Sequence, residues 1–179
     1  MDYLKILHEN PDLADEFDSL FDFFLLDELS PRDDAEGRCT FSMPGMAFAR
    51  DGSGGEYHLL EDGSIGYYSS EGEAGRLAES MDDLFSLIVS CICWHDCCDA
   101  KQYVDSKTLE EYGQRQRNTN LEDMDSLRRV SDALGIPTGE PLAPVLERFR
   151  KATQREPVYQ CIFHEDDGSL TESYGLMFE

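Results

Sequence analysis

Met46-Ala-Phe-Ala-Arg-Asp-Gly-Ser-Gly-Gly-Glu-Tyr-His-Leu-Leu-Glu-Asp-Gly-Ser-Ile-Gly-Tyr-Tyr68 is the stretch on which the fold turns. Met46, Phe48 and Arg50 begin a strand, and Asp51-Gly52-Ser53-Gly54-Gly55 is a tight loop. Glu56–Leu60 is the next strand, Glu61–Ser64 the next turn, and Ile65–Tyr68 the strand that returns. Asp62-Gly63 between two strand patterns predicts a type I′ hairpin turn, in which both central residues take positive φ. Just upstream, Cys39, Phe41 and Met43 alternate with polar residues until Pro44-Gly45 breaks the run. The spacing predicts an antiparallel meander of three or four strands.

Helical periods flank the meander. Downstream, Ser80 is a candidate N-cap before Met81-Asp82-Asp83. Met81, Leu84, Phe85, Ile88, Cys91, Ile92 and His95 then recur at helical spacing, with Leu87, Val89 and Trp94 apolar on other faces, so this helix is expected to be the most buried. Upstream, Asn10-Pro11-Asp12 opens a helix whose stripe runs Leu13, Phe17, Leu20, Phe21, Phe24, Leu25. A loop is expected over 30–38 and a short helix around Ser106–Gln114 within the polar region 101–125. Ser126–Leu134 reads as a helix stopped by Gly135-Ile136-Pro137, and Pro141–Thr153 as another. Val158–Phe163, a turn at Asp166–Ser169 and a strand near Tyr174–Phe178 close the chain. The expectation is a single α+β domain over 1–179. Its antiparallel meander sheet has about four to six strands packed against several helices. It comprises an acidic helical segment (1–36), the meander and buried helix (39–98), and helices with a C-terminal hairpin (126–179).

Thirty-eight acidic and fifteen basic residues give a net charge of −23, unevenly spread. Residues 1–36 hold twelve acids and two bases, a local −10, whereas 101–179 hold fifteen acids and ten bases, −5. Such a field repels nucleic acid and anionic membranes and speeds encounter with a basic protein. It also serves simple solubility. The opening residues lack a basic stretch followed by an apolar run, so a cytoplasmic, bacterial protein is expected. Six cysteines then read as free thiols rather than disulfides.

The sharpest chemical candidate is Cys91-Ile-Cys-Trp-His-Asp-Cys-Cys98. If one helix spans it, about 100° per residue puts Cys91, His95 and Cys98 on one face. That set suits zinc; it also continues the apolar stripe of Leu84 and Ile88, where packed core thiols are expected, and redox chemistry at Cys97-Cys98 is a third reading. Nothing resembles a nucleophile elbow or a phosphate-binding loop. Paired carboxylates (Asp33-Asp34, Asp82-Asp83, Asp166-Asp167) sit where turns and helix starts favour acids anyway. The expectation is therefore no cofactor, no metal and no catalysis. Candidate partner-binding residues are Asp15, Asp18 and Asp22 in the acidic segment and Asp51, Glu56, Tyr57 and Tyr68 in the meander. By alternation, Tyr67 and Tyr68 face opposite ways.

The segment 46–89 resembles the SUKH superfamily, which includes fungal cell-wall-synthesis regulators and many bacterial immunity proteins. The resemblance lies in Phe48-Ala49, the loop Asp51–Gly55, the strand Tyr57–Leu60, Asp62-Gly63, and the helix Ser80–Ile88. Glu56 stands where the family often has aspartate, and the cysteine-rich helix end lies outside the pattern. The resemblance implies a non-enzymatic protein that neutralises a cognate toxin, such as a basic nuclease. The alternative is a regulator or scaffold of the same fold with another partner.

Overall fold

The computed structural model describes residues 1–31 and 38–177. Chain order is α1 (Tyr3–Glu9), α2 (Pro11–Phe21), β1 (Phe24–Ser30), β2 (Cys39–Phe41), β3 (Gly45–Arg50), β4 (Glu56–Leu60), β5 (Ile65–Tyr68), β6 (Ala74–Ala78) and α3 (Met81–Cys91). There follow 3₁₀ turns at His95–Cys97 and Ala100–Gln102, then α4 (Ser106–Asn120), α5 (Met124–Leu134), α6 (Leu142–Thr153), β7 (Cys161–His164) and β8 (Leu170–Glu172). The fold is α+β. No helix among the described residues is long and apolar enough to cross a membrane.

The antiparallel sheet runs β1-β3-β4-β5-β6, so three strands of the expected meander, β3, β4 and β5, lie side by side in it. The Cys39 strand, β2, instead pairs with β7 in a second sheet, and the fourth place, beside β5, is taken by β6. Alternation sends Tyr57, Tyr67 and Ile65 to one face, against Phe23, Phe85 and Trp94, where the helices pack. Glu56, His58, Tyr68 and Arg76 face the other way. That side is covered by the second sheet, β2-β7-β8, through Phe41 and Phe163, and by Tyr159 just ahead of β7. Three layers result, with the five-stranded sheet in the middle.

Several expectations shift. The stripe of α2 stops at Phe21: Asp22 takes a left-handed conformation (φ 51°), one that Asp tolerates. Phe24 and Leu25 therefore open β1, the edge strand paired with β3. In the β4–β5 hairpin only Gly63 has positive φ (82°), so the turn is a three-residue loop rather than type I′. β6, Ala-Gly-Arg-Leu-Ala, carries no apolar alternation, yet all five residues are buried. The polar region holds a longer helix, α4, capped by Asp105, whose carboxylate accepts from Lys107 and Thr108 N–H. The final strand falls at 170–172, before the expected position. Asp33-Asp34 and most of the expected loop at 30–38 lie outside the described residues.

Candidate functional site

The first side-chain network starts at the β3–β4 loop. Asp51 is buried, and its Oδ1 accepts from Ser53 N–H (3.0 Å), Ser53 Oγ (2.7 Å) and Gly55 N–H (2.7 Å). Its Oδ2 accepts from the Tyr67 hydroxyl at 2.5 Å. With that proton committed, the Tyr67 oxygen accepts from His95 Nε2–H at 3.1 Å, which fixes the neutral tautomer. Burial alone raises the Asp51 carboxyl. Hydrogen bonds from Tyr67, Ser53 and Gly55 outweigh it and hold the group below the ordinary carboxylate value. Burial and the adjoining carboxylate push Tyr67 far upward, so the phenol stays protonated. Desolvation lowers His95 against the opposing pull of Asp51, Asp96 and Asp22.

Local backbone geometry puts His95 there. α3 ends at Ile92, whose φ of 67° and ψ of −63° form a tight three-residue turn, with Cys93 N–H donating to the Cys91 carbonyl at 2.9 Å. A β-branched residue in that conformation is strained, at a cost of about 1–3 kcal/mol. The turn redirects the chain so that Trp94 is buried, donates to the Tyr57 hydroxyl at 3.0 Å and stacks on His95 at 3.6 Å. It also ends the helical register on which Cys91, His95 and Cys98 were expected to share a face. Among the described residues no group of three His, Cys, Asp or Glu side chains is placed to hold a metal. Cys91 is fully buried against Cys97, and this contact and burial raise its thiol. Burial likewise raises Cys93 and Cys98, leaving them thiols rather than thiolates.

His95 opens on a cleft of about 210 Å³ that it shares with Leu20, Asp22, Cys93, Trp94 and Asn120. The arrangement offers a neutral imidazole at the end of a fixed hydrogen-bond chain, beside an exposed carboxylate. Asp22 also accepts from Gly52 N–H at 3.0 Å, tying the end of α2 to the Asp51 loop.

The second network lies across the sheet. Glu56 Oε1 accepts from Arg50 Nε (3.0 Å) and Nη2 (2.7 Å), and Oε2 accepts from His58 Nε2 at 3.0 Å. His58 Nδ1 in turn shares a hydrogen bond with the Tyr159 hydroxyl at 2.6 Å. Glu56, His58 and Tyr159 are all buried.

The candidate partner-binding residues thus separate. Asp15 and Asp22 are exposed and Asp18 is half-buried. Burial of Asp18 and the charges of Asp22 and Asp15 raise its carboxyl, the mark of a concentrated acidic ridge on α2. Asp51, Glu56 and Tyr57 are interior, each held in one of the networks above, and present no docking surface. Tyr68 is half-buried beneath Phe41 and Phe163. The residues not anticipated are Phe24 and Leu29, exposed on β1 (46% and 49%) because a strand, not a helix, carries them. Leu29 also lines an apolar hollow of about 190 Å³ with Leu4, Leu25, Phe48 and Leu59. No period-two signal marks this strand: Phe-Leu-Leu-Asp-Glu-Leu-Ser does not alternate, and its pairing with β3 is irregular between Leu25 and Ser30. Compared with known proteins, the chain matches no family model, no curated protein and no solved structure.

Proposed function

We propose that this chain is a non-enzymatic, cytoplasmic protein-binding domain that docks a basic partner on α2 and the β1 edge. The observation that carries the reading is β1 itself. An edge strand that keeps Phe24 and Leu29 exposed, beside an apolar hollow, is an association liability unless something covers it. Asp22, Asp27 and Glu28 are exposed along the same segment. Apolar anchors within a charged rim are the usual anatomy of a specific interface. The rim favours a cationic partner and gives salt-dependent association. The SUKH-like meander and the net charge support the narrower reading of an immunity protein that neutralises a basic toxin.

Capture from source cells with wild-type and Leu29→Asp baits tests the docking face. The wild type should recover a basic protein that salt releases, and the variant should weaken that complex about tenfold or more. Recovery of nothing salt-sensitive, or equal recovery by both baits, overturns the reading. Co-expression then separates toxin from regulator: an immunity protein restores growth against one specific lethal partner.

A further inference from the structure

A cavity of about 600 Å³ lies between the Ala100–Gln102 turn, the end of α6 and residues 175–177. That volume falls in the range of small-molecule sites, about 300–1,000 Å³. Its lining runs against the rest of the molecule. In a chain of net charge −23, the described walls include two cations, Lys101 and Arg150, and no carboxylate. Tyr103, Leu176 and Met177 supply an apolar side, and Gln154 a neutral polar one.

The two cations are in different states. Arg150 is held in place: Nη1 donates to the Tyr103 carbonyl at 2.9 Å and Nη2 to Glu147 Oε2 at 2.7 Å, with the guanidinium 5.8 Å from the Tyr103 ring centroid. Its Nε–H is buried and meets no acceptor. Native structures nearly always satisfy such a donor, through protein, water or a bound group. The Lys101 ammonium is exposed and bridges to no carboxylate among the described residues, with Asp99 the acid near enough to feel it.

We propose that this cavity binds a small organic carboxylate, with its head between Lys101 and Arg150 and its body against Tyr103, Leu176 and Met177. A planar carboxylate has two oxygens to share between an ammonium and a guanidinium edge. Reaching the Arg150 Nε–H requires the guanidinium to tilt from Glu147, exchanging one carboxylate partner for another. A compact dianion fits less well, because Glu147 already offsets Arg150 and Lys101 is then the one uncompensated cation. The site is independent of the docking face on β1.

Titrating the full-length chain with hexanoate, followed by amide and guanidinium NMR signals, tests the assignment. Saturable shifts are expected at Lys101, Tyr103, Leu176 and the Arg150 Nε–H, with hexanol and inorganic phosphate each binding about tenfold more weakly or worse. Lys101→Gln, an exposed change that leaves the fold intact, should weaken hexanoate about tenfold. Hexanol binding as tightly as hexanoate overturns anion recognition, and phosphate binding as tightly overturns the role of the apolar wall. Unchanged affinity in Lys101→Gln, or no saturation by about 10 mM hexanoate, overturns the site.

Discussion

On either face of the central sheet, a carboxylate, a phenol and an imidazole are joined by hydrogen bonds, but in a different order. Facing the helices, the chain runs Asp51–Tyr67–His95, with the phenol in the middle and the imidazole at an exposed end. Facing the small sheet it runs Glu56–His58–Tyr159, with the imidazole in the middle and every member buried. An imidazole in the middle spends both nitrogens on its neighbours and can only hold parts together. One at the end presents itself to a cleft. The same three groups thus make an internal brace on one face and a surface-reaching chain on the other, and burial of the imidazole decides which.

The contrast predicts unequal effects. Glu56→Ala should be the most damaging change. It removes the carboxylate that binds His58 inside the protein, while Arg50, whose side chain is 46% exposed, can turn to water. The cost is therefore about 3 kcal/mol, the upper end for losing a buried hydrogen-bond partner. Urea unfolding measures it, and a loss under 1 kcal/mol would show that the sealed network braces nothing. Gly55→Ala comes next. A Cβ there overlaps the Tyr67 hydroxyl and lies 2.5 Å from Asp51 Oδ2, so the loop must open. Overpacking of this kind costs about 1–3 kcal/mol, and the Tyr67–Asp51 hydrogen bond should lengthen in a crystal structure of the variant.

The smallest effect belongs to the exposed end. His95→Gln should change stability at neutral pH by less than about 1 kcal/mol. Its signature is in the pH profile. The folded protein holds His95 below the ordinary histidine value, so on acidification the unfolded chain takes up that proton first and stability falls. Asp51 has the same sign at lower pH, since its folded carboxyl is also depressed. Stability measured from pH 7 downward should therefore show an early slope that His95→Gln removes and a later one that it keeps. Identical profiles would mean that His95 titrates as it does in the unfolded chain.

How far the sequence made these features legible depended on the range of the forces involved. Asp-Gly turns, alternation and the Ser80 cap are local signals, and β3, β4, β5 and α3 followed from them. The partner of the Cys39 strand, β7, lies far along the chain at Cys161–His164, and that pairing left no local trace. The error at α2 was also local: Phe17, Phe21 and Phe24 fit helical spacing until one residue, Asp22, reverses the chain. Tyr57 and Glu56 were misread as surface because a strand's period shows that faces alternate but not what covers each. Here Trp94 covers one and Arg50 and His58 the other. The cysteine–histidine face failed at Ile92, whose positive φ is unfavourable for its residue type and is imposed by tertiary packing.

Arg76 has a further consequence. Although 1% exposed, it donates from Nη1 to the carbonyls of Arg155 and Pro157, 79 and 81 residues along the chain, at 2.9 and 3.1 Å. Ser64 and Asp62 supply acceptors from the neighbouring hairpin, but the distant pair completes the shell. As the polypeptide leaves the ribosome, β6 therefore appears with its counter-ion Asp62 already made but long before the two carbonyls that complete the shell of its central residue. A cation sealed without its acceptors is strongly unfavourable. That edge of the meander is therefore complete only once residues 155–157 are in place against it.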